Sequence, residues 1–213
     1  MGRARQTVRV SDPRRQSIVT LDLEGVLVPE VWIAVAERTG IDELRRTTRD
    51  EPDYDVLMKQ RLAVLDEHRL TMSLVTGVIE SLEPLPGARA FLDELRTRAQ
   101  VIILSDTFEQ FAAPLGRRLG HPTILCHRLV VETDVITGYE LRMVDQKRHA
   151  VEALRSLGYR VLAAGDSYND ISMLTAADVG MLFRAPEKVR AEFPMFAAVD
   201  DYDELMRLLV AEL

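Results

Sequence analysis

Asp22 and Glu24 stand two residues apart, directly after the apolar run Ile18-Val19-Thr20-Leu21. On an extended backbone, side chains two apart point the same way. Two further acids, Asp166 and Asp170, follow the run Val161-Leu-Ala-Ala164, and Ser105-Asp106-Thr107 follow Val101-Ile-Ile-Leu104. Lys147 lies between these last two groups, near the start of a helical stretch. The chemistry that uses such a set is phosphoryl transfer with Mg²⁺, a hard cation that takes oxygen ligands and keeps several waters. Asp22, Asp166 and a backbone carbonyl supply ligands, and Asp170 either binds directly or holds a metal-bound water. Lys147 neutralises phosphate charge. Ser105 and neighbouring backbone N–H groups bind the other phosphate oxygens. Asp22 is then a covalent nucleophile attacking phosphorus in line, and Glu24 an acid that protonates the leaving oxygen and afterwards serves as base. Taken alone, D-x-E-G fits a surface strand–loop junction with two solvated acids equally well, so the weight lies on the whole set.

Something must bring these groups to one edge. Short apolar runs at Ser17–Leu21, Val101–Leu104, Thr123–Cys126, Arg160–Ala164 and Val179–Phe183 read as buried strands. Helical stretches alternate with them at Ala88–Ala99, Phe108–Leu119, Gln146–Leu157, Ile171–Ala177, Pro186–Phe193 and Asp203–Leu213. Leu129–Met143, with Gly138 inside it, alternates like an antiparallel hairpin. The pattern predicts an α/β fold, a doubly wound Rossmann-like parallel sheet whose strands end in the polar groups on one edge. Residues 31–84 break the alternation with helical, charged sequence, interrupted at Pro52, and read as a small helical cap inserted after the first strand. In that block Val31–Thr39 ends at Gly40, and Tyr54, Met58, Arg61 and Leu65 share one face of a helix over Tyr54–His68. Arg61 on that face either snorkels at its edge or serves the site. The expected organisation is a core of 17–30 and 85–213, a cap of 31–84, and a disordered basic tail over 1–16.

The 213 residues are 47% hydrophobic with a net charge of −7, which suits a folded core and argues against general nucleic-acid binding. No apolar run reaches the length of a membrane span, so no membrane partner is expected. The arginine-rich start (Arg3, Arg5, Arg9, Arg14, Arg15) lacks the apolar segment of an export signal. The single cysteine, Cys126, excludes an intrachain disulfide and fits a cytoplasmic location. His121 and His127 read as structural rather than as a metal pair. Phe193-Pro-Met-Phe196 either packs on the core or joins a homodimer contact.

The combination D22-x-E24-G-V-L, S105, K147 and G165-D-S-Y-N-D170 resembles the haloacid dehalogenase superfamily of aspartyl-phosphate phosphotransferases. The insertion after the first motif resembles the cap of its phosphoserine phosphatase branch. D-L-E-G-V-L-V-P-E, T-R-D-E-P-D-Y-D-V-L-M-K-Q-R and L-S-D-T-F resemble that branch's bifunctional phosphoserine phosphatase/phosphoserine:homoserine phosphotransferases. The resemblance runs from Ile18 nearly to the C-terminus. It implies Asp22 as nucleophile and metal ligand, and Glu24 as acid/base with a backbone carbonyl on the metal. It further implies Ser105 and Lys147 as phosphate binders, and Asp166 and Asp170 at the Mg²⁺. Asn169, with Asp106 and Thr107 of the second motif, lies near the phosphate. Glu30 and Arg61 would hold the ammonium and carboxylate of phosphoserine, with Tyr54 closing over it. The ammonium needs an anion and the carboxylate an arginine fork; as the residue before a helix, Glu30 also fits a dipole-favoured first-turn acid. Homoserine is a second expected partner. The chain departs from most of the branch in having Glu at position 24 where Asp is usual, and Asp106-Thr107 where Gly-Gly is usual. A phosphatase of another small metabolite, or a non-catalytic phosphate-binding protein, are the competing readings.

Overall fold

The computed structural model describes residues 15–48, 50, 51 and 53–213. The expected tail through Arg14 and the break at Pro52 lie outside the described residues. Seven strands form one sheet among the described residues: β1 Ser17–Leu21, β2 Gln100–Phe108, β3 Thr123–Glu132, β4 Val135–Glu140, β5 Arg160–Gly165, β6 Val179–Phe183 and β7 Ala197–Val199. Their order is β4-β3-β2-β1-β5-β6-β7. All neighbours are parallel except β3 and β4. This is the doubly wound α/β sheet expected from the alternation of strands and helices.

β1 is the centre because its residues are apolar or β-branched on both faces. Val19, Thr20 and Leu21 are fully buried, Leu21 pairing with Ile103 on one side and Ala164 on the other. Each such Val or Leu contributes about 1.5–3 kcal/mol of burial free energy. The register puts the carboxyl ends of β1, β2 and β5 side by side. The sheet contact starts one residue before the expected core boundary, where Gln16 C=O accepts Arg160 N–H at 3.1 Å.

Around the sheet run α4 Ala88–Arg96, α5 Glu109–Arg118, α6 Gln146–Ser156, α7 Ile171–Ala176, α8 Glu187–Glu192 and α9 Tyr202–Glu212. Between β1 and α4 come α1 Val31–Thr39, a 3-10 turn Asp42–Arg45, α2 Tyr54–Glu67 and α3 Met72–Ser81. α1 stops at Gly40, whose φ of 75° suits glycine. Asp53 caps α2, accepting the N–H groups of Asp55 and Val56, and Thr71 caps α3, accepting that of Leu74. Trp32, Val35, Met58 and Val75 from these helices join the same apolar core as β1. No helix among the described residues is long and apolar enough to cross a membrane.

Three differences from the sequence reading have local causes. β2 does not end at Leu104 but continues to Phe108, with its register to β3 shifting between those residues. A polar Ser-Asp-Thr triplet reads as a turn, yet here it is an irregular strand end. β3 runs unbroken from the expected short strand into the hairpin, whose turn is Thr133-Asp134 with φ of 47° and 69°. β7 is three residues long, below what a period can reveal. Phe193 and Phe196 stack on each other and pack, half-buried, against the core beside Tyr168, while Met195 is exposed.

Candidate active site

The ends of β1, β2 and β5 bring Asp22, Glu24, Ser105, Asp106, Thr107, Asp166 and Asn169 to one cavity of about 50 Å³. The helices after β1 close it with Glu30, Trp32, Thr47, Thr48, Tyr54 and Arg61. Every site residue expected from the sequence lines this cavity or stands directly behind it. Lys147 and Asp170 are the two behind. Lys147, at the start of α6, is 2% exposed, and its Nζ lies 2.9 Å from Asp22 Oδ1 and 2.7 Å from Asp170 Oδ1.

Asp22 Oδ1 also accepts the Leu23 N–H at 2.8 Å, so its rotamer is fixed from two sides. Burial and the Asp170 carboxylate push the Asp22 carboxyl well above its ordinary value; Lys147 opposes them, and Asp166 adds to the rise. For Lys147 burial works against the charge, but Asp170, Asp22 and Asp106 outweigh it and the ammonium is held well above its usual range. Asp170 is fully buried and organises the turn after β5, where its Oδ2 accepts the N–H groups of Asp166 and Ser167 at 2.9 and 3.2 Å.

Carboxylate oxygens of Asp22, Asp166 and Asp170 come within 4.8 Å of one another. Two glycines leave room for them. A Cβ on Gly25 would fall 2.6 Å from Asp166 Oδ2, and one on Gly165 only 2.3 Å from the Asp170 carboxyl carbon. Three buried carboxylates against one ammonium leave an excess of negative charge, and hard oxygen donors in that number suit a hard divalent cation. The donor set therefore fits magnesium.

Glu24 turns from the β1 loop toward α1. Its Oε2 accepts the Val31 N–H at 2.9 Å, capping that helix in place of Glu30. Glu30 is the residue before α1 but its side chain makes no cap bond; it faces the cavity within electrostatic reach of Arg61. Burial raises the Glu24 carboxyl above its ordinary value, opposed by the Val31 N–H, the nearby Thr107 hydroxyl, Arg61 and Lys147. The Thr107 hydroxyl is near Glu24 but meets hydrogen-bond geometry to no group.

Arg61 does not snorkel. It is 7% exposed, its guanidinium lies 4.9 Å over the Trp32 ring, and Nη2 donates to Arg46 C=O at 3.0 Å. Its Nε is buried without a partner. Burial lowers the guanidinium to about 10 against the pull of Glu24, Tyr54 and Glu30. Tyr54 O–H donates to Asp106 C=O at 2.7 Å, tying α2 to the end of β2.

Asp106 points into a net of donors. Asn169 Nδ2 is 3.0 Å and Gln146 Nε2 3.2 Å from its carboxylate, with His127 Nε2 at 3.5 Å and Lys147 Nζ at 3.8 Å. Burial would raise this carboxyl, but Lys147, His127, Asn169 and Gln146 together hold it well below the usual carboxylate range. His127 is thus part of the site's surroundings, while His121 is exposed before β3. Trp32, Thr47, Thr48 and Gln146 were not expected there. Gln146 had one signal, its place beside Lys147; Trp32 had its place two residues after Glu30 in the stretch following the first motif.

The model of the haloacid dehalogenase-like hydrolases matches residues 16–178. A phosphoserine phosphatase of Pseudomonas syringae pv. tomato is 61% identical over 191 residues, covering 89% of this chain and 81% of that protein. Phosphoserine phosphatase ThrH of Pseudomonas aeruginosa is 60% identical, with 89% and 93% covered. Among solved structures, a phosphoserine phosphatase with a phospho-aspartyl intermediate analogue superposes with a TM-score of 0.77 at 21% identity. It covers 92% of this chain and 99% of its own, and it attests the shared fold.

Proposed function

The chain belongs to the haloacid dehalogenase-like hydrolases, and on that premise we propose that it is a magnesium-dependent phosphoserine phosphatase that also passes the phosphoryl group to homoserine. One observation carries the substrate: one small cavity is lined by Asp22, Asp166 and Ser105, with Lys147 behind them, and by the buried Arg61, which is within electrostatic reach of Glu30. A phosphate, a carboxylate and an ammonium in one small molecule match those groups. Relatives at about 60% identity that carry the name phosphoserine phosphatase support the same reading.

In this proposal residues 17–30 and 85–213 are the catalytic core and 31–84 the cap. Asp22 Oδ1 is held by Lys147 and Leu23 N–H, and Oδ2 attacks phosphorus. The Asp22 O–P bond forms as the P–O bond to the serine oxygen breaks. Glu24, whose carboxyl is raised by burial, gives its proton to the departing oxygen. As a carboxylate it then takes a proton from water or from the homoserine hydroxyl, which attacks phosphorus and breaks the P–O bond to Asp22. Lys147, Ser105 and Thr107 hold the phosphoryl oxygens, and Tyr54, by its bond to Asp106 C=O, keeps the cap down and limits the entry of bulk water. Magnesium held by Asp22, Asp166, Asp170 and the Glu24 backbone carbonyl supplies charge neutralisation at the phosphoryl group.

The test is turnover of O-phospho-L-serine beside a panel of sugar phosphates, with Mg²⁺, with and without homoserine, resolving free phosphate from phosphohomoserine. Turnover of phosphoserine with phosphohomoserine formed in the second mixture is expected. Turnover of sugar phosphates with none of phosphoserine would replace the substrate, and free phosphate alone in both mixtures would remove the transferase activity.

A further inference from the structure

His127 is buried in β3, one strand away from the cavity's edge, and has no place in the reaction just described. Its two ring nitrogens are nonetheless fully assigned by their neighbours. The Arg142 backbone N–H donates to Nδ1 at 3.1 Å. A backbone N–H can only donate, so in the neutral ring Nδ1 is the acceptor and the proton sits on Nε2. Nε2 lies 3.5 Å from Asp106 Oδ1 and 3.3 Å from Gln146 Nε2, a donor like itself, so its proton is directed to the carboxylate. Gln146 Nε2 reaches the same oxygen at 3.2 Å while also donating to Ser105 C=O at 2.6 Å, and Asn169 Nδ2 takes Oδ2 at 3.0 Å. Asn169 is itself oriented by Ser167 Oγ, which donates to its Oδ1 at 2.6 Å. The irregular end of β2 lets Asp106 leave the ladder between Leu104 and Phe108 and enter this net.

The arrangement answers an electrostatic problem. Asp106 brings a negative charge into a strand end that, on the proposed function, must receive a phosphate dianion. A free carboxylate there would repel the phosphate and compete for Lys147, 3.8 Å away. Two amide N–H donors, Gln146 and Asn169, bond the carboxylate, and His127 Nε2 stands 3.5 Å from it, which spreads the charge and fixes the side chain. The same residue's backbone carbonyl accepts Tyr54 O–H, and the Tyr54 ring lies 5.8 Å from the His127 ring, so a wandering Asp106 would also loosen the cap.

We infer that His127 is a positioning residue of the phosphate subsite: through its Nε2–H it holds the Asp106 carboxylate in the Gln146–Asn169 net and so keeps the subsite fit for a phosphate dianion. This rests on the reading that the cavity holds a phosphoryl group, but not on which ester delivers it.

The test is a double-mutant cycle of His127→Leu and Asp106→Asn, read by calorimetric binding of inorganic phosphate with Mg²⁺ present and by steady-state kinetics. In the wild-type background H127L should weaken phosphate binding about tenfold and raise KM more than it lowers kcat. In the D106N background the same change should cost less than about twofold, because no charge remains to be held. His127→Gln, whose amide N–H can replace Nε2–H, should bring binding back to within about threefold of wild type. Equal losses in both backgrounds, or a fall in kcat with phosphate binding unmoved, would overturn the inference. If H127L does not fold, His127→Asn, too short to reach Asp106, takes its place in the same cycle. Phosphate binding reads the subsite even if phosphoserine proves not to be the substrate, so the two failures are separable.

Discussion

Glu24 Oε2 accepts the Val31 backbone N–H at 2.9 Å, so the proposed acid/base is also the cap of the first helix after β1. An aspartate in that position would be shorter by one carbon–carbon bond, about 1.5 Å, and would not reach. The helix start would then be left unsatisfied at the point where the cap joins the core.

Glu24→Asp is therefore expected to lower stability by about 1 kcal/mol, the usual worth of a lost helix cap. With the cap less firmly seated, the product ratio should move from phosphohomoserine toward free phosphate, while the KM for phosphoserine changes less. Thermal unfolding and product analysis check the two parts. An unchanged ratio would place acceptor choice in the cap, residues 31–84, instead.

Arg61→Lys should raise the KM for phosphoserine about 10- to 100-fold, the worth of a charge-assisted pair lost with the planar fork. The Lys ammonium cannot reproduce the position over Trp32 or the bond to Arg46 C=O. Turnover of a small aryl phosphate, which has no carboxylate, should change little. Equal losses on both substrates would assign Arg61 to the fold rather than to the substrate carboxylate.

Gly25→Ala should damage the proposed metal site more than the fold. The new Cβ would fall 2.6 Å from Asp166 Oδ2 on a backbone with φ of 77°. The left-handed backbone costs about 1 kcal/mol, and disturbing a group that supports a metal ligand typically costs about 10- to 100-fold in metal affinity. A Mg²⁺ titration of activity beside a thermal melt separates the two. An unshifted Mg²⁺ dependence would remove Asp166 as a ligand.

The β3–β4 turn offers a pH signature. Ser73 Oγ and the Ser73 N–H both donate to Asp134 Oδ1, at 2.8 and 2.7 Å, tying the hairpin to the start of α3. These bonds, that from the Ser73 side chain first, hold the Asp134 carboxyl below its ordinary value. A depressed folded-state pKa gives stability that is present above the unfolded value, near 3.9, and is lost as pH falls through the folded one. The Tm advantage of wild type over Asp134→Asn should be constant from pH 7 to about 5 and shrink below about 4. An advantage independent of pH down to the acid transition would show that the charge contributes nothing.

Much of this site was legible because its parts each follow a buried strand. Asp22, Ser105 and Asp166 are read from apolar runs that end in polar residues, and a parallel sheet does the rest. The length of β2 was not legible, since Ser105-Asp106-Thr107 has turn composition and only pairing with β3 extends it. Nor was the direction of Asp106, which is decided by Gln146 and Asn169, 40 and 63 positions away. His127 read as structural because nothing near it in the chain is a partner; its partner lies across the sheet. Arg61 on an apolar helix face showed that something there was unusual, but Trp32, which it covers, belongs to another helix.

The central claim is that Asp22 carries the phosphoryl group of phosphoserine. It is tested most directly by mixing the protein with O-phospho-L-serine and Mg²⁺, quenching in acid within the first turnover, and mapping the phosphorylated peptide by mass. The account predicts a phosphoryl group on the peptide holding Asp22, hydroxylamine-labile as an acyl phosphate is, and none in Asp22→Asn, which should also lose turnover. Full turnover by Asp22→Asn, or a phosphoryl group found on another residue, would contradict it.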